Sequence, residues 1–387
     1  MVQKKRLGEI ALLQRGLTYN KGDEVPSSSK VVLRSNNIDL DSHSLDLSEL
    51  KYLREDFVIP EDRKVKKDSI FICMSNGSKQ HVGKVAYIDR DMDYAFGGFM
   101  GLIVPKPSIS SKYVFYACNS SSYRTFLSQI GNGIGITNLR FSDLEQFEVP
   151  VPSIEEQQRI VAELDLLTGI IDKKNAQLRD LDALAQSIFY EMFGDPITNE
   201  KGWPVRFLEE IASSQIGLTY KPDNVSETGT IVLRSSNIQN SIIDLNDIVR
   251  VNCDIKEKQF VREGDILMCS RNGSFRLVGK VAKIQNLPER MSYGAFMTTI
   301  RSDYNDYLFG FFKTPAFRAQ LGLAKTATIN QITVKMLNAI QLPVPPKVIQ
   351  SSFAERIAHI TSQQNAIIES LNGIQHLFNS RMSLYFG

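Results

Sequence analysis

Short apolar runs and long, regularly spaced apolar stripes alternate along the chain, and each predicts a different element. Ile70-Phe71-Ile72-Cys73-Met74 and Val82 to Ile88 are brief apolar stretches bounded by Lys67-Asp68 and Asn76-Gly77. They predict two strands joined by a tight turn. A third run, Phe99 to Val104, precedes a segment from Tyr113 to Ile130 with helical spacing, and the Gly131-Asn132-Gly133-Ile134-Gly135 stretch behind it predicts a loop. From Ser153 the period changes. Ser153 with Glu156 three residues on is a capping-box start just after Pro152. Ile160, Leu164, Leu167, Ile171, Lys174, Leu178, Leu181, Ala185, Ile188 and Met192 then recur in alternating steps of four and three, a coiled-coil seam with one polar break. Gly194-Asp195-Pro196 stops this helix.

The pattern is written twice. Leu7-Gly8-Glu9-Ile10-Ala11 returns as Leu208-Glu209-Glu210-Ile211-Ala212, and Gly16-Leu17-Thr18-Tyr19 returns unchanged as Gly217-Leu218-Thr219-Tyr220. Val32-Leu33-Arg34-Ser35-Asn36-Asn37-Ile38 matches Val232-Leu233-Arg234-Ser235-Ser236-Asn237-Ile238, and Asn76-Gly77-Ser78 recurs as Asn272-Gly273-Ser274. Val82-Gly83-Lys84-Val85-Ala86 recurs as Val278-Gly279-Lys280-Val281-Ala282, and Val149-Pro150-Val151-Pro152 as Leu342-Pro343-Val344-Pro345. A second stripe follows: Phe353, Ile357, Ile360, Gln364, Ile367, Leu371, Ile374, Phe378, Arg381 and Tyr385.

A repeat of this length decides the architecture. The expected organisation is a globular domain at 1–152, a helix at 153–194, a second domain at 195–345 that opens with a linker at 195–204, and a second helix at 346–387. The fold class is α+β (mixed α/β). Two stripes in one chain can bury each other, and units related by a pseudo-twofold would lay their helices antiparallel as a two-helix coiled coil between the globular domains. About 40 helical residues at ~1.5 Å each would then space the domains by roughly 60 Å, which suits a long, bipartite ligand.

Composition narrows the class. With 387 residues, 42% hydrophobic and 23% charged, the chain is too long for one ordinary domain and is neither disordered, collagenous nor a disulfide scaffold. Lys+Arg 45 against Asp+Glu 43 leaves a net charge of +2, so any polyanion must be met by local patches rather than by bulk attraction. The four cysteines, Cys73, Cys118, Cys253 and Cys269, form no C-x-x-C pair and read as reduced, mostly buried thiols. No apolar run approaches the ~20 residues needed to span a bilayer, and Met1-Val2-Gln3-Lys4-Lys5-Arg6 leads into no signal-peptide core. A cytoplasmic protein with no membrane partner is expected.

The catalytic inventory is thin. Neither a Walker A motif nor H-E-x-x-H occurs, and His43, His81, His359 and His376 form no close ligand pair. His81 lies eight residues after Cys73 but aligns with Leu277, so no metal site is expected. Gly131-x-Gly133-x-Gly135 follows a helix rather than a strand, and Ala324-Lys325-Thr326-Ala327-Thr328 replaces it in the second unit, so a plain loop fits better than a cofactor cradle.

Polar residues able to meet nucleic acid gather in loops of each unit. In the first they are Tyr19, Arg34, Asn36, Ser75, Asn76, Ser78, Lys79, Gln80, Asn138 and Arg140. In the second they are Tyr220, Arg234, Asn237, Arg271, Asn272, Ser274, Arg276, Asn330 and Gln331. Arg, Asn and Gln can make paired hydrogen bonds to guanine or adenine edges, and small Ser and Gly let backbone approach phosphate. Solvated turns are the alternative reading of the same residues, and Arg34 fits a structural ion pair equally well.

Two tandem domain-plus-helix units resemble the specificity (S) subunit of type I restriction-modification systems over essentially the full chain. The most specific stretch runs from Gly135-Ile136-Thr137-Asn138-Leu139 through Pro150-Val151-Pro152-Ser153-Ile154-Glu155-Glu156-Gln157 to Gln158-Arg159-Ile160-Val161, which is similar to that family's junction between a target-recognition domain and a central helix. Phe193-Gly194-Asp195-Pro196 resembles the end of the family's first helix. The second junction, Pro346-Lys347-Val348-Ile349-Gln350-Ser351-Ser352-Phe353, keeps the Pro and one Gln but loses the paired glutamates.

The resemblance implies a chain that reads double-stranded DNA and has no catalytic residues and no cofactor of its own. Each domain would read one half of a bipartite, asymmetric site, with the helix pair setting the gap. Two copies of a methyltransferase (M) subunit carrying S-adenosylmethionine would methylate adenine, and a motor and nuclease (R) subunit would join for cleavage. The rival classes are a self-contained DNA methyltransferase or nuclease, which needs a catalytic domain that two full repeats leave no room for, and a protein-binding scaffold.

Overall fold

Ser69-Ile70-Phe71-Ile72-Cys73 is apolar at consecutive positions because both of its faces are covered. In the computed structural model, which describes residues 2–39, 42–130, 137–322 and 331–387, this run is a strand buried at every position. It pairs antiparallel with Val85–Ile88 on one side and Met100–Pro105 on the other, and Ala11–Arg15 completes a four-stranded sheet. One face carries Ile70, Ile72, Val85 and Ile103 onto Tyr113, Val114 and Ala117 of the helix Ser111–Ala117. The other carries Phe71, Cys73, Ala86 and Leu102 onto Val31, Leu33 and Phe96, which belong to a second four-stranded sheet. Alternation of side chains across the pleat splits one apolar run between two cores, and each buried Leu or Phe contributes about 1.5–3 kcal/mol.

The second sheet runs Glu24–Val25, Lys51–Leu53, Lys30–Leu33, Tyr94–Phe96 in space, with Lys30–Leu33 parallel to Tyr94–Phe96 and the other pairs antiparallel. A ribbon of Lys4–Arg6 with Glu148–Pro150 brings the two ends of the domain together. The second unit repeats both four-stranded sheets and adds a short pair, Ile238–Gln239 with Ile242–Ile243. Its sheets run Ser213–Ile216, Met297–Arg301, Ile266–Cys269, Val281–Lys283 and Val225–Ser226, Arg250–Val251, Thr230–Leu233, Met291–Tyr293. Its ribbon pairs Val205–Phe207 with Gln341–Pro343. Interior chemistry differs at several positions, most strongly where Arg301 donates to the buried carboxylate of Asp265 at 2.6 and 2.8 Å and the first unit has Val104 and Ser69.

Three local expectations change. The strands Ser69–Cys73 and Val85–Ile88 are joined not by a tight turn but by a loop over 74–84 with a 3-10 turn at Lys79–His81. Val82 belongs to this loop and plugs the core at 6% exposure, while Gly83 turns the chain at φ +82°. Tyr113 to Ile130 forms two helices, Ser111–Ala117 and Ser121–Ile130. Ser120 separates them: its hydroxyl donates to the Ala117 carbonyl at 2.7 Å and accepts from the Tyr123 N–H at 3.2 Å. The third strand begins at Met100, leaving Phe99 outside it in the preceding loop.

The long helices span Ile154–Phe193 and Lys347–Phe386. The Ser153 hydroxyl accepts from the Glu156 N–H at 3.3 Å, and Gly194, at φ +78°, ends the first helix. Gln157, almost wholly buried, donates to the Pro152 carbonyl at 2.9 Å and accepts from the Ser110 N–H at 2.9 Å. The single Gln retained at the second junction is its counterpart, since Gln350 donates to the Pro345 carbonyl at 2.6 Å.

By contact density the chain divides into Met1–Lys173 with Ser370–Gly387, and Lys174–Glu369. Each globular domain is therefore completed by parts of both long helices. In the first unit the helices meet antiparallel, with Glu163 accepting a hydrogen bond from Tyr385 at 2.7 Å and forming an ion pair with Arg381 at 2.9 Å. In the second, Gln364 donates to Asp182 at 3.1 Å and Arg356 pairs with Glu191 at 3.3 Å. Ile160, Leu164, Leu167 and Leu178 are buried seam residues as expected. In the last turns, however, Phe189 and Phe193, and Met382 and Phe386, are the most buried residues, one position past the expected Ile188, Met192, Arg381 and Tyr385. There the helix faces a domain core as well as a helix: the Phe189 ring stacks on Tyr307 at 5.6 Å, and the Phe386 ring sits 4.9 Å from Tyr113. Among the described residues no helix is long and apolar enough to cross a membrane.

The shared Gly-Leu-Thr-Tyr stretch begins with glycine because the chain there runs against another backbone, Leu17 bridging Gly97 and Leu218 bridging Gly294. A Cβ on Gly16 or Gly217 would overlap the carbonyl oxygen of Gly97 or Gly294. Gly16→Ala and Gly217→Ala are each expected to destabilise their own unit by about 1–3 kcal/mol, read as a lower thermal unfolding transition. Unchanged transitions in both variants would contradict this packing.

Candidate nucleic-acid interface

Four loops of the first unit are tied together through their backbones. The Leu17 N–H donates to the Phe96 carbonyl at 2.6 Å, and the Gly97 N–H to the Leu33 carbonyl at 2.9 Å. The Met74 and Ser75 N–H groups both donate to the Phe99 carbonyl, at 2.9 and 3.1 Å. Side chains then add detail. Asn76 donates from Nδ2 to the Ser35 hydroxyl at 2.8 Å and accepts from the Ser78 N–H at 2.8 Å, an Asx turn that holds its loop against the Arg34–Asn37 loop. The Asn76 N–H donates to the Thr137 carbonyl at 3.1 Å, and the Leu139 N–H to the Met74 carbonyl at 2.7 Å, which draws the segment carrying Asn138 alongside.

The result is an open cleft of about 980 Å³ whose lining includes Tyr19, Arg34, Asn36, Ser75, Asn76 and Phe99. Residues far apart in the chain thus meet at one place. Ser78, Lys79, Gln80, Asn138 and Arg140 are exposed beside it rather than in its lining. Burial pushes the Tyr19 hydroxyl pKa up, with Glu24 adding to the rise, so this phenol stays a neutral donor at physiological pH.

The second unit reproduces the frame. The Leu218 N–H donates to the Tyr293 carbonyl at 2.7 Å, the Gly294 N–H to Leu233 at 2.9 Å, and the Ser270 and Arg271 N–H groups to the Phe296 carbonyl at 2.9 and 3.0 Å. Asn272 donates to the Ser235 hydroxyl at 3.0 Å and accepts from the Ser274 N–H at 2.9 Å, and Arg271 bridges Gln331 as Ser75 bridges Asn138. Arg271, Ser274, Arg276 and Gln331 are exposed, and Tyr220 is half-buried. Asn330 lies outside the described residues, as do the Gly131 to Gly135 stretch and its counterpart at 324–328.

One expectation is corrected here, and a second residue gains a partner. Asn237 does not face solvent: at 1% exposure it donates to the Asp244 and Asp247 carbonyls at 2.9 and 2.8 Å and accepts from the Arg234 N–H at 2.8 Å. It is an interior peg that shapes its loop, as Asn37 is in the first unit, bonded to Asp46, Glu49 and Arg34. Arg234 pairs with Asp247 at 2.8 Å, so the ion-pair reading raised for Arg34 applies in the second unit.

The repeat also contained functional candidates that polarity alone passes over. Phe96-Gly97-Gly98-Phe99-Met100 and Tyr293-Gly294-Ala295-Phe296-Met297 are equivalent, yet the apolar pattern assigns Phe99 to a strand. Phe99 and Phe296 are instead exposed, at 72% and 57%. Lys84, buried among apolar strands, donates from Nζ to the Ile38 carbonyl at 2.7 Å and so fastens the Arg34–Asn37 loop from beneath. Burial lowers the pKa of both Lys84 and its counterpart Lys280. Burial likewise pushes the Cys73 and Cys118 thiols up, to about 11 and about 12, leaving them inert at neutral pH. Among the described residues no three His, Cys, Asp or Glu side chains gather as a metal site.

A frame built twice over, with polar loops at the same end of each domain, is matched by a family model described as the type I restriction modification DNA specificity domain, over residues 1–180 and again over 200–375. The chain belongs to this family. It is 25% identical over 390 residues to the type I restriction enzyme EcoKI specificity subunit of Escherichia coli (strain K12), covering 94% of this chain and 82% of the relative. It is 24% identical over 396 residues to the StySPI specificity subunit of Salmonella potsdam, covering 96% and 84%. The crystal structure of a type I restriction-modification S subunit from M. genitalium shares the fold, with a TM-score of 0.54 at 14% identity over 100% of this chain and 96% of that one. As a specificity subunit, the chain serves DNA target recognition, and the loops described above are where its two copies of the family domain present polar side chains.

Proposed function

We propose that each unit of this specificity subunit reads one half of a bipartite, asymmetric double-stranded DNA site with its cleft loops. In this reading two methyltransferase subunits carrying S-adenosylmethionine methylate adenine in each half, a motor and nuclease subunit cleaves, and the complex works in the cytoplasm. The chain itself supplies no chemistry. The observation that carries the reading is one loop frame holding two different sets of side chains. Residues identical in both units cannot by themselves distinguish two unlike half-sites, so Arg34 and Arg234, Asn76 and Asn272, and Gly77 and Gly273 shape loops or hold phosphate. Bases are read where the units diverge: Ser75, Lys79 and Gln80 against Arg271, Phe275 and Arg276. The relatives' names as subunits of type I restriction enzymes support the division of labour.

Purified chain with S-adenosylmethionine is expected to leave DNA unmethylated and uncut until a methyltransferase subunit is added. Methylation by the chain alone, in a preparation free of host methyltransferase, would reject the reading. An arginine paired with guanine contributes roughly 1–3 kcal/mol of discrimination. Arg271→Ala or Arg276→Ala should therefore relax one position of the second half-site, whereas Arg234→Ala weakens binding about evenly across sequences. Sequencing of methylated adenines in cells carrying the complex checks both. The idea fails if the Arg271 and Arg276 variants read both half-sites as before while the Arg234 variant changes a base preference.

The long helices set the spacer in this reading. Four residues inserted into each would lengthen it by about 6 Å and should widen the gap by about two base pairs at ~3.4 Å each. A changed half-site with the old gap would count against it.

A further inference from the structure

An isolated exposed apolar residue needs no explanation, but Phe99 and Phe296 are exposed at the same position of both units. Each sits on a backbone that cannot drift, because its carbonyl takes two N–H bonds from the loop that carries Ser75 or Arg271. The ring therefore projects from a fixed point beside the side chains that differ between the units. What differs most is its neighbour. In the second unit the Arg271 guanidinium lies over the Phe296 ring, 5.2 Å from its centroid. Arg271 is exposed and forms no ion pair among the described residues. Stacking engages the face of the guanidinium and leaves its N–H edge free to donate in a fork. In the first unit Ser75 stands in place of Arg271, and Phe99 lines the cleft uncovered.

We propose that this aromatic is a specificity device used in two ways. Phe296 is a positioning residue that holds Arg271 so that its guanidinium edge donates to O6 and N7 of one guanine in the second half-site. Phe99, with Ser75 where the second unit has Arg271, touches a base of the first half-site directly, and the apolar feature a base edge offers in the major groove is the thymine methyl. The proposal rests on the loop reading above and adds to it the residue that orients the reader.

The test uses the complete complex, with methylated-adenine sequencing and competition binding on duplexes that vary one base at a time. Phe296→Ala should cost about tenfold in discrimination at one guanine of the second half-site, the position that Arg271→Ala relaxes, and Phe296→Tyr should restore it. Phe99→Ala should relax a thymine position of the first half-site. Ser75→Arg should introduce a guanine preference in the first half-site when Phe99 is present, and Ser75→Arg combined with Phe99→Ala should not. Ser75 is a surface loop residue, so this gain of preference does not depend on the aromatic variants folding. If Arg271→Ala relaxes a guanine while Phe296→Ala leaves it as strict as before, the positioning role is wrong and the loop reading stands. If Ser75→Arg leaves the first half-site unchanged, the platform is wrong in that unit. If neither Arg271→Ala nor Phe296→Ala alters any base, the aromatic device is overturned, and the loop reading falls with it only if Arg276→Ala is also without effect.

Discussion

Everything presented at the cleft depends on backbone bonds between loops. Side chains that differ between the two units cannot be what holds their common loop frame together, and in both units the loops are joined instead by N–H to carbonyl contacts centred on Leu33, Phe96 and Phe99, or Leu233, Tyr293 and Phe296. These bonds are made by backbone groups alone and so are indifferent to side-chain identity. The side chains recruited to the frame are the repeated ones. Asn37 and Asn237 peg one loop, Asn76 and Asn272 close another onto Ser35 and Ser235, and Gly16 and Gly217 permit the close approach of two chains. Ser75 and Arg271, whose backbones make the same bonds, are thereby free to differ.

A second dependence runs through the helices. Neither globular domain closes its core alone: the first takes Ile160 and Leu164 from one helix and Met382 and Phe386 from the other, and the second takes Phe189, Phe193 and Phe353 in the same way. The aromatic residues at the helix ends serve a domain, while the branched residues at the start of the first helix serve domain and seam together. Gln157 and Gln350 fix where each helix leaves its domain, because a buried amide bonded to the preceding proline carbonyl tolerates little displacement. This explains why the second junction tolerates loss of the paired glutamates, which in the first are exposed or pair with Arg159 on the helix surface.

The sequence by itself determined the duplication, the two long helices, the mixed α/β character of the domains and which polar loops recur in both units, because each of these rests on local signals: apolar periodicity, capping residues and glycines that recur at matching positions. The tertiary structure decided what those signals leave open. Asn237 and Asn36 look alike in a list of polar loop residues, yet one is enclosed by the carbonyls of Asp244 and Asp247 and the other lines the cleft. Phe99 and Met100 look alike in an apolar run, yet one is 72% exposed and the other 1%. Whether a polar group is satisfied, or an apolar one covered, depends on what the rest of the chain brings to its surroundings, and no periodicity carries that information. The same holds at the ends of the long helices, where burial moves from the heptad positions to Phe189, Phe193, Met382 and Phe386. A heptad describes a helix meeting one partner, and here each helix end meets a domain core as well.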